Sequence, residues 1–244
     1  MIKFRNEWKY LVSNWEAELL KRRLSPFLEI DPHAVGGSYS IRSLYFDDYW
    51  DSAYQEKMMG VYERQKWRIR VYNCSDAVIH LERKLKKGNY IHKDSAALTR
   101  EECDRILAGD YAFLLHHSAP LCREFYYEVM VQLLRPKVIV DYEREPYISE
   151  EGTVRITFDH DVRAGIGGLE LFDPGLPTLN TLEDGYLVLE VKFTEFLPQL
   201  IREILPLEGQ EFAAVSKYTL CYERAHHMTD ALAGISKTNR ERRI

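Results

Sequence analysis

The sequence predicts an α+β domain whose sheet curls or closes into a barrel. Three observations lead there. At least seven segments rich in Val, Ile, Tyr and Phe are bounded by turn residues, as strands are. Helical signals stand between several of them, so strands and helices belong to one domain. Several strands also carry charged residues at every second position, with apolar residues between them.

The elements follow in chain order. Residues 4–11 place Arg5, Glu7 and Lys9 on one strand face and Phe4, Trp8 and Tyr10 on the other. Ser13 and Glu16 read as a capping box, followed by Trp15, Leu19, Leu20, Leu24 and Phe27 as the apolar stripe of a helix. Residues 39–46 are extended and carry Arg42. Residues 62–72 align Arg64, Lys66, Arg68 and Arg70 opposite Trp67, Ile69 and Val71. Residues 77–85 align His80, Glu82 and Lys84 opposite Ile79 and Leu81. Thr99 and Glu102 form a second capping box before Ile106 and Leu107, with Gly109 as a stop. Residues 120–135 suit a buried helix ending at Pro136, and 137–145 a strand with Tyr142 and Arg144 on one face. Residues 153–160 set Arg155, Thr157 and Asp159 opposite Val154, Ile156 and Phe158. Residues 173–186 read as a loop. Residues 186–193 set Glu190 and Lys192 opposite Leu189, Val191 and Phe193, and short helices are expected at 197–205 and 214–227. One domain is expected over 1–228, with 229–244 a disordered polar tail.

Composition narrows the function classes. The 244 residues hold 33 Lys and Arg against 38 Asp and Glu, a net charge of −5, with 45% hydrophobic residues. Disorder is excluded, and a mildly acidic chain argues against a general nucleic-acid binder. No apolar run approaches the ~20 residues that span a bilayer, and the charged start has no signal-peptide core. Cys74, Cys103, Cys122 and Cys221 lack CxxC or zinc spacing and read as buried reduced thiols. A cytoplasmic location without a membrane segment is the expectation.

Where the charges sit matters more than their sum. A solvent-facing sheet would explain one alternating strand. Five such strands, each with an apolar face that needs cover, point instead to helices outside and charges turned into a shared interior. Arg5, Lys9, Arg42, Arg64, Lys66, Arg68, Arg70, Lys84, Arg144, Arg155 and Lys192 then face only Glu7, Glu82, Asp159 and Glu190. Unpaired burial of such cations costs several kcal/mol per ion, so the interior must hold water and be ready for a polyanion. Arginine forks and lysine ammonium groups suit phosphate oxygens. A few carboxylates suit a hard divalent cation that also takes substrate oxygens.

Several motifs resemble those of the triphosphate tunnel metalloenzymes. They are E-x-K (Glu7, Lys9), K-x-R-x-R (Lys66, Arg68, Arg70), L-E-x-K (Glu82, Lys84), V-R-I-T-F-D (154–159) and L-E-V-K-F (Glu190, Lys192, Phe193). Within that superfamily the chain looks most like the VTC domain, the catalytic part of the eukaryotic vacuolar transporter chaperone polyphosphate polymerase. S-L-Y-F-D-D (43–48), Y-E-R (142–144) and S-K-Y (216–218) extend the likeness from about Phe4 to Tyr222.

The resemblance implies an antiparallel eight-stranded β-tunnel with surrounding helices and basic walls. It implies ATP and polyphosphate or pyrophosphate as ligands, Mn2+ or Mg2+ as cofactor, and transfer of the terminal phosphoryl group of ATP to a polyphosphate chain. Lys9, Arg68, Arg70, Arg144 and Arg155 would grip the reacting phosphates, with Lys84, Lys93 and Lys217 as further ligands. Arg42, Lys66 and Lys192 join them as substrate contacts from the face pattern. Glu190 would hold the metal, with Glu82 or Glu7 in support. The hydrolase branch usually begins E-x-E-x-K, and here Arg5 stands at the first Glu, which shifts weight from hydrolase to polymerase. A tripolyphosphate or nucleoside triphosphate hydrolase and a non-catalytic polyphosphate-binding module remain the alternatives. The sensing domain and membrane helices of the eukaryotic complex are not in this sequence, so their regulation and translocation are not carried over. Asp47 and Asp48 read as a turn or cap, and Tyr218 and Tyr222 as packing residues beside a tunnel-facing Lys217.

Overall fold

A computed structural model of the chain describes residues 5–88, 90–149, 151–194, 196–205 and 215–228. The expected tail at 229–244 lies outside the described residues. Ten strands are present: β1 (Arg5–Ser13), β2 (Glu29–Ile30), β3 (Tyr39–Asp47), β4 (Glu63–Tyr72), β5 (Ser75–Lys87), β6 (Tyr90–Leu98), β7 (Arg135–Ser149), β8 (Val154–Gly165), β9 (Thr178–Asn180) and β10 (Tyr186–Phe193). Eight run in the order β7-β3-β4-β5-β6-β1-β10-β8, and β8 pairs back to β7, so the sheet closes into a barrel. Every pairing is antiparallel, and the short β2 and β9 are appended to β7 and β8. Closure removes free sheet edges and creates an interior distinct from the outer surface.

The helices are α1 (Asn14–Leu24), α2 (Ser52–Met58), α3 (Arg100–Leu107), α4 (Pro120–Val131), α5 (Gln199–Ile204) and α6 over 217–228. Both capping boxes form. The Glu16 amide donates to Ser13 Oγ at 3.3 Å and the Ser13 amide to Glu16 Oε2 at 2.7 Å. Thr99 and Glu102 repeat this at 3.1 and 2.8 Å. The α1 stripe is Ala17, Leu20 and Leu24, because Trp15 is 77% exposed and Leu19 and Phe27 also face outward. The helix expected to end at Pro136 stops at Val131. Leu133 takes a left-handed conformation, and Pro136 lies in β7 beside a bulge in the β3 pairing, a place where a missing N–H is tolerated. Strand β6 escaped the sequence reading because its HKDSAA centre is not strand-like, and pairing with β5 imposes its conformation.

Three apolar clusters place these elements. Cys103, Ile106, Phe125 and Val129 of α3 and α4 cover the outward Phe46, Trp67, Ile69, Val71 and Leu81 of β3–β5. Leu20, Leu24 and Ile201 of α1 and α5 cover Tyr10, Ile156, Phe158, Leu189 and Val191 of β1, β8 and β10. The third cluster is internal. Tyr218, Cys221 and Tyr222 of α6 pack on Ile41, Tyr45, Tyr142, Val162 and Val188, which belong to the charge-bearing strand faces. The Tyr218 hydroxyl donates to Asp47 at 2.6 Å and that of Tyr222 to Asp51 at 2.7 Å. Asp47 also accepts the amides of Asp48, Ala53 and Tyr54, and so ties α2 and α6 to the barrel. Among the described residues, no helix is long and apolar enough to cross a membrane.

Phe125 holds the first cluster together, with ring centroids 5.0 Å from Phe46 and 5.2 Å from Trp67. Phe125→Ala should destabilise the domain by about 3–5 kcal/mol, read as a lower urea midpoint at unchanged slope.

Candidate functional site

The alternating charges do converge inside the barrel. A cavity of about 700 Å³ is lined, among the described residues, by eleven lysine and arginine side chains but only two carboxylates, those of Glu7 and Glu190. Lys9, Lys66, Arg68, Arg70, Lys84, Arg144, Lys192 and Lys217 of the expected site are on its wall, joined by Lys57, Arg64 and Lys86.

The inner wall is an ion-pair lattice. Glu190 on β10 meets Lys192 and Lys217 at 2.7 Å each, Lys9 at 3.1 Å and Arg144 at 3.4 Å. Asp159 on β8 takes Arg144 in a bidentate fork, Nε at 2.6 Å and Nη2 at 2.7 Å, and Lys217 at 2.6 Å. Glu7 on β1 takes Lys84 at 2.7 Å and Lys192 at 3.5 Å. Glu82 on β5 is 0% exposed and accepts Arg68 Nε at 2.7 Å and Lys93 Nζ at 2.6 Å. Two tyrosines hold the arginine forks: Arg68 Nη1 donates to Tyr45 at 2.7 Å and Arg70 Nη2 to Tyr142 at 3.3 Å. Neither Tyr45 nor Tyr142 was singled out as a site residue from sequence, although Tyr142 was placed beside Arg144 on one face.

Charge states follow from these contacts. Burial opposes ionisation of Glu190, but Lys192, Lys217, Lys9 and Arg144 overrule it and hold its carboxyl well below the usual range. Glu82 and Asp159 are lowered for the same reason, by Arg68 and Arg70 and by Arg144 and Lys217. The lysines diverge. Burial works against the charge of Lys9, but Glu190 and Glu7 raise it. Burial pushes Lys84 down to about 7, with Lys9 and Lys192 adding to the shift and Glu7 resisting it. Lys66 falls well below an ordinary lysine through burial and its neighbour Lys84. Its nearest polar partner is Ser216 Oγ at 3.4 Å, and its ammonium sits 4.2 Å from the Tyr218 ring centre. Among the described residues, no carboxylate forms an ion pair with Lys57, Arg64, Lys66 or Lys86.

Four expectations change. Arg42 is not in the tunnel. It lies on the outward face of β3 with Leu44 and Phe46, opposite Asp141 of β7, and binds Asp141 at 2.8 Å and the Asp173 carbonyl. The period-two pattern on β3 puts Ser43 and Tyr45 inside instead, because Ser43 faces Arg70 across the β3–β4 ladder. Glu82 does not line the cavity with Glu190 and Glu7; it is fully buried in the wall, with Arg68 and Lys93 on its oxygens. Arg155 shares the inward row of β8 but lies beyond the cavity, held by Asp31 at 2.7 Å and the Tyr39 hydroxyl at 2.9 Å. Lys93 stands behind Arg68, on Glu82.

Among the described residues, no group of three or more His, Cys, Asp or Glu side chains could hold a metal by itself. Glu7 and Glu190 do come together, sharing Lys9 and Lys192. As hard oxygen donors on the cavity wall they fit Mn2+ or Mg2+ when phosphate oxygens and water complete the shell.

The VTC domain profile matches residues 4–226. The chain belongs to the VTC domain family. No curated protein matches it significantly. A candidate adenylyl cyclase from Hippeastrum, reported with a dominant triphosphatase activity, shares the fold at 18% identity and a TM-score of 0.54, over 91% of this chain and 95% of that one. A candidate adenylate cyclase from Bacillus halodurans aligns at 15% identity and a TM-score of 0.47, over 83% and 86% of the two chains. A Pyrococcus horikoshii protein aligns at 13% identity and a TM-score of 0.46, over 90% and 99%. The fold is the triphosphate tunnel barrel.

In this VTC domain, Asp159→Asn would leave Arg144 and Lys217 short of a counter-charge in a dry wall. A loss of about 3–5 kcal/mol is expected in denaturant titration, larger than for Glu18→Gln on the exposed face of α1.

Proposed function

We propose that this VTC domain is a metal-dependent polyphosphate polymerase. It moves the terminal phosphoryl group of ATP onto a polyphosphate or pyrophosphate acceptor within the barrel. The observation that carries this reading is the excess of cations on the cavity wall, eleven against two carboxylates, in a protein of net charge −5. Such an enclosed cationic surface suits a ligand with many phosphate charges.

Phosphoryl transfer needs positioning and charge neutralisation more than covalent help. Lys9, Arg68, Arg70, Arg144 and Lys217 donate to the oxygens of the β and γ phosphates. Tyr45 and Tyr142 keep the arginine forks aimed, and Asp159 fixes Arg144. Lys66, Lys84 and Lys192 hold neighbouring phosphates. Lys93 and Arg155 extend the cationic row toward the ends of the interior. A terminal acceptor oxygen forms a bond to the γ phosphorus, and the bond from that phosphorus to the β-γ bridging oxygen breaks, releasing ADP. The acceptor oxygen is already ionised and needs no strong base. Glu190, with Glu7 beside it, would hold Mn2+ or Mg2+, which supplies further charge neutralisation to the phosphate oxygens.

Hydrolysis fits less well. A hydrolase needs a carboxylate able to orient or activate water. Here Glu7, Glu82, Asp159 and Glu190 are all bound to ammonium or guanidinium groups, and their lowered proton affinities make them weak bases. The four unpaired cysteines suit a reducing compartment, and a cytoplasmic site belongs to this reading.

Incubation of pure protein with ATP and Mn2+ should yield long polyphosphate and ADP. Orthophosphate release from tripolyphosphate instead, or binding without turnover, would overturn the polymerase. Arg70→Ala should lower kcat on the order of a hundredfold or more, and Glu190→Gln should abolish metal-dependent turnover.

Lys84 sets a pH dependence. Its free-state pKa lies near 7, and a bound polyanion raises it. Tripolyphosphate binding is therefore strongest below pH 7 and weakens as pH rises through 7 toward the bound-state value, by up to tenfold per unit for one proton. Titration calorimetry from pH 6 to 9 should show this fall in wild type and a shallower one in Lys84→Gln, which keeps the ligand's own ionisation and that of other lowered lysines such as Lys66.

A further inference from the structure

An aromatic residue directly precedes β4 and its cationic row. Tyr62, Arg64, Lys66, Arg68 and Arg70 are spaced by two, and all of them line the cavity. Tyr62 is 64% exposed, so its ring is not there to fill a core.

Its position is nonetheless built. The Gly88 amide donates to the Tyr62 carbonyl at 2.9 Å, which places the ring on the turn between β5 and β6. Gly88 has φ +56°, and a Cβ there would stand 2.8 Å from Tyr62 Cε2. Another residue here would be strained by the left-handed φ and would displace the ring from its place. Gly60 and Val61 continue the uncharged rim beside it, and Val215 lines the same cavity.

A bare phosphate chain has no use for an aromatic face. A single exposed tyrosine is ordinary on a protein surface. One set on a cleared glycine turn, at the head of a row of phosphate-type cations, suits a ligand that is anionic at one end and planar at the other. The strand rise of about 3.3 Å per residue puts Arg68 roughly 13 Å and Arg70 roughly 20 Å along β4 from Arg64, the first cation after Tyr62. Phosphates held by the inner cations thus leave a nucleoside near the rim.

We propose that Tyr62 is a stacking platform for the base of the nucleoside triphosphate donor, with Arg64 and Lys86 beside the ribose and its first phosphate. This rests on the triphosphate-utilising reading above and adds a subsite for the uncharged half of the donor. A ring stacks on the π-face that every base has, so the platform favours nucleotides over bare triphosphate without choosing among bases.

The test is titration calorimetry of β,γ-imido ATP and inorganic tripolyphosphate, both in EDTA so that no turnover intervenes. Tyr62→Ala should weaken the nucleotide about tenfold or more and leave tripolyphosphate within twofold, while Tyr62→Phe, which keeps the ring, binds both like wild type. An equal loss for both compounds in Tyr62→Ala, or no loss for either, overturns the platform and leaves the triphosphate site standing. Wild-type protein that binds neither compound overturns the triphosphate reading and the platform with it.

Discussion

Charge inside a closed barrel is the constraint on which this molecule depends. Each lysine or arginine turned inward loses water, and that loss costs several kcal/mol unless an anion replaces it. Glu190, Asp159, Glu7 and Glu82 are those anions when no ligand is bound, and each serves two or more cations. The sharing of carboxylates keeps the barrel foldable while leaving an excess of positive charge. The same arrangement turns most apolar strand residues outward, where α1, α3, α4 and α5 cover them, and leaves an inward apolar set that α6 covers.

The interior divides into two zones. Around Glu190 and Asp159 the cations are compensated and held in fixed geometry. Toward the rim, Lys57, Arg64, Lys66 and Lys86 form no ion pair with a carboxylate among the described residues, and burial and mutual repulsion lower the proton affinities of several of them. That strain is relieved by an incoming polyanion. Helix α6 links the zones: Lys217 reaches Glu190 and Asp159, while Tyr218 packs beneath Lys66. Removing α6 would open the apolar third cluster and withdraw a cation from Glu190 and Asp159 together.

The polar second cavity, about 310 Å³ between β7, β8 and the turn before β10, has a different character. It is lined by Glu143, Glu145, Asp161, Glu183 and Asp184, with His160 bound to Glu145 at 3.0 Å. It shows where part of the acidic excess resides: on the outside of the barrel, away from the cationic interior.

Much of this was legible in the residues themselves. Period-two alternation on β1, β4, β5, β8 and β10 is a local property of the chain, so it revealed which residues share a face, and the need to cover five apolar faces turned the charges inward. The capping boxes of α1 and α3 were readable for the same reason. Arg42 was not, because alternation says that neighbours differ in face but not which face is inside, and only the ladder to Arg70 through Ser43 settles it. Strand β6 has no intrinsic preference to announce it. Nor could any sequence pattern tell that Arg68 and Lys93 would occupy Glu82 while Glu7 came to Glu190, since the first contacts follow the register of β4 and β6 on β5 and the second the pairing of β1 with β10, far apart in the chain. The sequence by itself determined the strand faces, the helix starts and the surplus of cations. Tertiary structure alone decided which charges meet, because distance across a barrel depends on closure and register rather than on neighbours along the chain.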